Sequence, residues 1–194
     1  SGGGKGLVEY GTQTNFPNPW PGGWWTLRGV VERQKVSAWA TLDLAARNRE
    51  TVLWNAYLKA SRQTERGAKG KPAAYAMSAS QHDPLTLNKL VNALLAQGIE
   101  VLQSPRGFAA PDGMTYPAGS FYVPLAQPYG RFVNELLTAQ RYPETKLVPG
   151  KDIVRPYDVS AWTLPLMMGV TAERATLPAA LAPWKPVPSQ LPTD

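Results

Sequence analysis

Apolar residues recur at close to every third or fourth position between 26 and 66: Leu27, Val30, Val31, Ala38, Leu42, Ala45, Leu53, Ala56, Tyr57 and Ala60. That spacing puts them along one side of a helix. Proline is absent from the stretch and glycine appears only at Gly29. Thr26 suits the N-cap and Gly67 marks the expected stop. A single helix of this length would reach on the order of 60 Å, more than a small domain spans. A break near residues 48–51 is therefore predicted, with one uninterrupted arm as the alternative.

After a polar Gly/Lys linker at 67–71 the pattern changes. Residues 73–79 (AAYAMSA) read as a buried strand. Asp83-Pro84 follows, an N-cap residue with proline at the first helical position. Leu85, Leu87, Leu90, Val91, Leu94 and Leu95 then supply an apolar helix face, and Gly98 a stop. Residues 99–102 (IEVL) read as the next strand. Strand, helix and strand joined this tightly predict a parallel pair. Asp112-Gly113 and residues 116–119 (YPAG) read as turns. Residues 120–125 (SFYVPL) read as a strand, with Pro124 marking its end or a sheet edge. Gln127-Pro128 opens a helix through Phe132, Val133, Leu136 and Leu137. Residues 141–158 are loop-like, the apolar stretch 158–170 should dock on the sheet, and 178–194, with five prolines, should be extended. The expected fold is α/β: an incomplete, mostly parallel sheet flanked by helices, preceded by a long helical arm. The expected organisation is a Trp/Pro-rich loop and long helix over 1–66, an α/β domain over 72–175 and a tail over 176–194.

Residues 5–25 are rich in glycine, proline and tryptophan and cannot be helical. Trp20, Trp24 and Trp25 offer faces for stacking on a sugar or a base, but are expected to pack, because exposed they would form an adhesive patch. The 19 prolines and 17 glycines of the 194-residue chain agree with many turns. The net charge is +6. Its densest run, Lys59, Arg62, Arg66, Lys69 and Lys71, reads as a solvated helix end, where cations face the free backbone carbonyls. The absence of cysteine excludes disulfides, thiolate metal sites and cysteine nucleophiles. No apolar run is long enough for a membrane span.

Candidate chemistry is sparse. Catalytic zinc needs three protein ligands, and the chain has one histidine, His82, with no His-x-x-Glu or His-Glu-x-x-His pattern. His82 and Asp83 sit between a strand and a helix, where open α/β sheets bind ligands. They are candidate ligand contacts; the plainer reading is a turn residue followed by a helix cap. Ser78 and Ser80 lie close by, but no Gly-x-Ser-x-Gly elbow marks a nucleophile. Phosphate-binding glycine loops are missing as well, and nucleic acid is not an expected partner.

Three long stretches together carry a resemblance: residues 19–28 (PWPGGWWTLR) followed by the long helix, 116–129 (YPAGSFYVPLAQPY) and 155–170 (RPYDVSAWTLPLMMGV). In this order they resemble large bacterial zinc carboxypeptidases of peptidase family M14, over about residues 7–175. Those proteins carry a signal peptide, a carboxypeptidase-like domain and a domain similar to class I glutamine amidotransferases. The resemblance implies that residues 7–66 end the peptidase domain and that 72–175 begin a flavodoxin-like, amidotransferase-like domain. It also implies secretion or a periplasmic location. The family's zinc ligands and catalytic glutamate match nothing here, so zinc would belong to an upstream catalytic domain and no cofactor to this chain. The amidotransferase likeness fails at its cysteine nucleophile, which is absent. The implied role is a non-catalytic accessory part of a peptide-hydrolysing protein, with the upstream carboxypeptidase domain as partner. The helical arm would pack on its own sheet domain or on a second copy. A binding module for an anionic ligand or polysaccharide is the alternative drawn from the charge.

Overall fold

The computed structural model describes residues 11–12, 14, 17–19, 22–109, 113–140, 163–176, 185–187 and 190–193. Expectations for Trp20, Asp112 and residues 141–162 lie outside these. The chain divides into two compact units, Ser1–Val52 and Leu53–Asp194.

In the first unit, Thr26 is extended and its Oγ1 accepts the Gly29 N–H at 3.1 Å, opening α1 (Leu27–Arg47). The helix ends at Asn48, whose backbone N–H and side-chain Nδ2 both donate to the Leu44 carbonyl, at 3.0 and 2.9 Å. A short amide side chain competing for a helix carbonyl is a local reason to interrupt the helix, and the predicted break falls here. Among the described residues of this unit none is buried. Trp24 is 93% exposed, a correction to the expectation that the tryptophan loop packs. Among its described residues the unit has no buried side chain to receive an indole, and Gly22 and Gly23 hold the preceding backbone at positive φ. Trp25 is covered on one face by the Arg33 guanidinium, 4.4 Å from the ring centre.

Helix α2 (Arg49–Lys69) begins in the first unit and runs mostly in the second. It does not stop at Gly67 as expected. Gly67 is buried inside the helix, and a Cβ placed there would lie 1.9 Å from the Leu125 carbonyl oxygen. The residue is a close approach of two backbones, not a terminator.

The second unit continues with β1 (Ala74–Met77), α3 (Pro84–Ala96), β2 (Leu102–Gln103), β3 (Phe108–Ala109), β4 (Thr115–Tyr116), β5 (Phe121–Pro124), α4 (Gly130–Leu137), α5 (Leu164–Met168), β6 (Glu173–Ala175) and β7 (Lys185–Pro186). It is mixed α/β, and its five-stranded sheet has the order β6-β1-β5-β2-β7. All its pairs are antiparallel. This corrects the mostly parallel sheet expected from the sequence. β1 and β2 do run in the same direction across α3, since each is antiparallel to β5, but β5 lies between them. A helix about 10 Å across bridges two strand spacings of about 4.8 Å as readily as one. The crossover therefore leaves a slot, and the later strand fills it.

Side-chain alternation assigns the two faces. Tyr75 and Met77 of β1 stand opposite Val123 and Phe121 of β5. They share a core with Leu87, Leu90, Val91 and Leu94 of α3 and Val133 and Leu137 of α4. Ala74, Ala76 and Tyr122 face the other way and meet Tyr116 and Phe108. That face is covered by the β3–β4 hairpin, whose Phe108 and Tyr116 rings stack at 5.0 Å. Among the described residues, α3 and α4 pack on one face of the sheet and the hairpin on the other. Small alanines on β1 leave room for the hairpin's aromatics. Burial holds the Tyr122 phenol above its ordinary pKa.

The strand expected at 99–102 pairs only at Leu102–Gln103. Its earlier backbone has another partner, the buried side chain of Gln127. Gln127 Oε1 accepts the Glu100 N–H at 2.8 Å, and its Nε2 donates to Glu100 O at 3.2 Å and Pro124 O at 2.6 Å. An amide side chain here replaces a neighbouring strand. Pro124 ends β5 in the middle of the sheet, so it marks a strand end and not an edge. The described part of the tail is non-helical. Val187 N–H bonds Val101 O, and Asn92 holds Leu191 through both its N–H and C=O. No helix among the described residues is long and apolar enough to cross a membrane.

Candidate functional site

Two hollows in the second unit gather polar side chains. The first, of about 330 Å³, lies where β1 ends and is lined by Ser78, Ser80, Gln81, His82, Thr115, Tyr116, Thr171 and Glu173, among others. Gln81 fixes one side: its Nε2 donates to Ser78 O and Thr171 O, both at 3.1 Å, and its Oε1 accepts the Thr171 N–H at 3.0 Å. Tyr116 Oη donates to Glu173 Oε2 at 2.9 Å. His82 is an exposed wall residue. Among the described residues no hydrogen bond joins it to Ser78, Ser80 or Glu173, and the Ser78 hydroxyl accepts the Ser80 N–H at 3.1 Å. The hollow offers hydrogen bonds to a small polar ligand. It does not assemble a nucleophile with its base.

Asp83 is adjacent in sequence but belongs to α3. Its Oδ1 accepts the N–H groups of Leu85 and Thr86, at 3.0 and 3.1 Å, and its Oδ2 accepts the Thr86 hydroxyl at 2.6 Å. The Thr86 hydroxyl above all, then the Thr86 and Leu85 amides and the nearby Lys89, hold this carboxyl below its ordinary pKa. Because the folded value is depressed, the cap's contribution is full above the unfolded value. It fades as pH falls from about 4 through the lowered one. We expect proton titration by NMR to place Asp83 below an ordinary aspartate and Thr86→Val to move it upward. Asp83→Asn should remove that part of the acid dependence of stability. An ordinary Asp83 titration would contradict the cap.

The second hollow lies between the C-terminal half of α2 and the start of α4. Two contiguous cavities, of about 420 and 920 Å³, share Gln63, Arg66 and Arg131. Lys59, Arg62, Lys71, Tyr129 and Glu135 also line them. Four members of the run expected to be a solvated helix end, Lys59, Arg62, Arg66 and Lys71, are exposed and form one wall of a trough. Arg131 and Tyr129 form the other, and the sequence signalled neither. Gly67 and Gly130 allow the closure: a Cβ on either would come within about 2 Å of the Leu125 carbonyl oxygen, 1.9 and 2.1 Å respectively. Among the described residues no carboxylate lies within ion-pairing distance of these cations; the described pairs, Arg47 with Asp43 and Arg49 with Glu50, lie elsewhere.

Among the described residues no cluster of three His, Asp or Glu side chains comes together in a geometry that could hold a metal ion. No protein-family model matches the sequence, and comparison with curated proteins and with solved structures gives no match either.

Proposed function

We propose that this chain is a non-catalytic accessory part of a secreted or periplasmic zinc metallocarboxypeptidase-like protein, joined to its peptidase domain through the surface of α1. The observation that carries the reading is that α1 buries nothing while presenting Val36, Trp39 and Leu42, three residues apart along one side of the helix and between 61% and 67% exposed. A soluble surface rarely leaves so much contiguous apolar area uncovered unless it is a binding face, and tryptophan is a frequent anchor of such faces. The peptidase domain is named as occupant by the likeness of residues 19–28 and the following helix to the end of that domain. On this reading zinc and the hydrolytic groups reside in the partner, and the α/β unit is an appended module.

The test supplies the catalytic domain of a zinc carboxypeptidase of the resembled family in trans. This chain should bind it, with the tryptophan emission shifting to shorter wavelength as indoles leave water. Trp39→Asp with Leu42→Asp should weaken binding by at least about thirtyfold, near 2 kcal/mol. Absence of binding would overturn the reading. So would a stable homodimer dissociated by the same substitutions, which would assign the face to a second copy.

A further inference from the structure

We infer that the trough between α2 and α4 is a binding site for an acidic polysaccharide strand. Lys59, Arg62 and Arg66 are spaced by three and four residues, so they share one side of α2 over about two turns, a length of roughly 10 Å. Lys71 extends this line past the helix end, and Arg131 faces it from the first turn of α4. Five cations, Lys59, Arg62, Arg66, Lys71 and Arg131, line these two cavities, and among the described lining residues Glu135 is the carboxylate facing them, with Glu65 on the adjoining hollow.

Helix electrostatics accounts for only part of this set. A helix C-terminus attracts cations within its last turn, which covers Arg66 and Lys69. Lys59 and Arg62 lie farther back. Arg131 is at the N-terminal end of α4, where the helix field is already positive and a cation is disfavoured. Like charges gathered along a concave surface repel one another and focus a positive potential outward. An anion in the trough relieves both effects.

The lining selects the kind of anion. Arg62, Arg66 and Arg131 supply planar forks that fit carboxylate or sulfate through paired hydrogen bonds. The same cavity is lined by Ala56, Ala60, Pro128 and Tyr129, a residue 49% exposed. An apolar strip with one open aromatic suits the carbon–hydrogen face of a sugar ring. Single-stranded nucleic acid is held by a succession of stacked aromatics; among the described residues the two cavities are lined by one, Tyr129, with Tyr57 on the adjoining hollow, and oligothymidylate is therefore a comparison in the test. A duplex is convex and does not enter a concave hollow of this size. The volumes fall in the range of about 300–1,000 Å³ typical of ligand sites. The site does not depend on what covers α1.

Calorimetry with the full chain tests this. Oligogalacturonate probes for carboxylate and a heparin hexasaccharide for sulfate, with a neutral galactose oligomer and oligothymidylate as comparisons. At least one acidic sugar should bind, and raising salt from about 50 to about 200 mM should weaken it by about tenfold or more. The triple variant Arg62→Gln, Arg66→Gln, Arg131→Gln changes exposed side chains that have no carboxylate partner among the described residues, and circular dichroism checks that it folds. It should lose at least about tenfold in affinity, whereas Lys35→Gln, Lys89→Gln, Arg106→Gln should lose little. If the triple variant does not fold, Arg131→Gln alone carries the comparison. The proposal is overturned if neither acidic sugar binds or if oligothymidylate or the neutral oligomer binds more tightly. Equal losses in the two sets of variants would also overturn it.

Discussion

Gly67→Ala is expected to destabilise the chain by about 3 kcal/mol, a fall of about 10 °C in melting temperature. Two effects of opposite sign compete. In a helix interior alanine is favoured over glycine by about 1 kcal/mol, so propensity alone predicts a gain. The added methyl, however, would sit 1.9 Å from the Leu125 carbonyl oxygen and 2.5 Å from the Ala126 nitrogen. Both are backbone atoms, so no side-chain rotation relieves the overlap. The last turn of α2 must then withdraw from the loop that follows β5, which also opens the basic trough. Thermal and denaturant melts of the variant against the parent decide the matter. A variant as stable as the parent would mean that the two backbones are not in contact.

Gln127→Leu is expected to cost a similar amount, about 3 kcal/mol, although it replaces a polar residue in a buried place by an apolar one of like size. Leucine adds apolar burial, worth on the order of 1–2 kcal/mol. It also strips partners from the N–H and C=O of Glu100 and from the C=O of Pro124. Each buried backbone group left without a hydrogen bond costs about 1–3 kcal/mol, so the loss dominates. Hydrogen exchange at the Glu100 amide should accelerate together with the drop in stability. Protection of that amide equal to the parent's would show that another group takes over the bond.

The local signals in the sequence were physical and most of them read correctly. Asp83 and Pro84 open α3 because a carboxylate satisfies free amides and a proline needs none. Gly98, at φ 76°, and Gly119, at φ 87°, adopt the left-handed backbone that glycine tolerates at a helix end and in a turn. Asn48 interrupts the long helical stretch where its length required it. Strand partnership was not legible. Whether β1 accepts β2 or β5 as its neighbour depends on a strand that arrives some twenty residues later, and no spacing rule reports the width of a gap. Gly67 misled for a related reason, since a glycine at a helix end and one at a backbone crossing look alike in sequence. At the candidate sites, the cations of α2 were visible as a run. The trough became visible only once Tyr129 and Arg131 stood opposite them, because it is made by two elements far apart along the chain. His82 keeps the exposed position expected of a turn residue at a hollow's edge, and Asp83 is engaged by its own helix.

The outermost strands, β6 and β7, both come from residue 173 onward, and each covers one flank of the β1-β5-β2 trio. During synthesis the central three strands emerge well before either flank. Until the last segment follows, both hydrogen-bonding margins of the nascent sheet stand open to any extended peptide, including the same stretch of a neighbouring chain on the polysome.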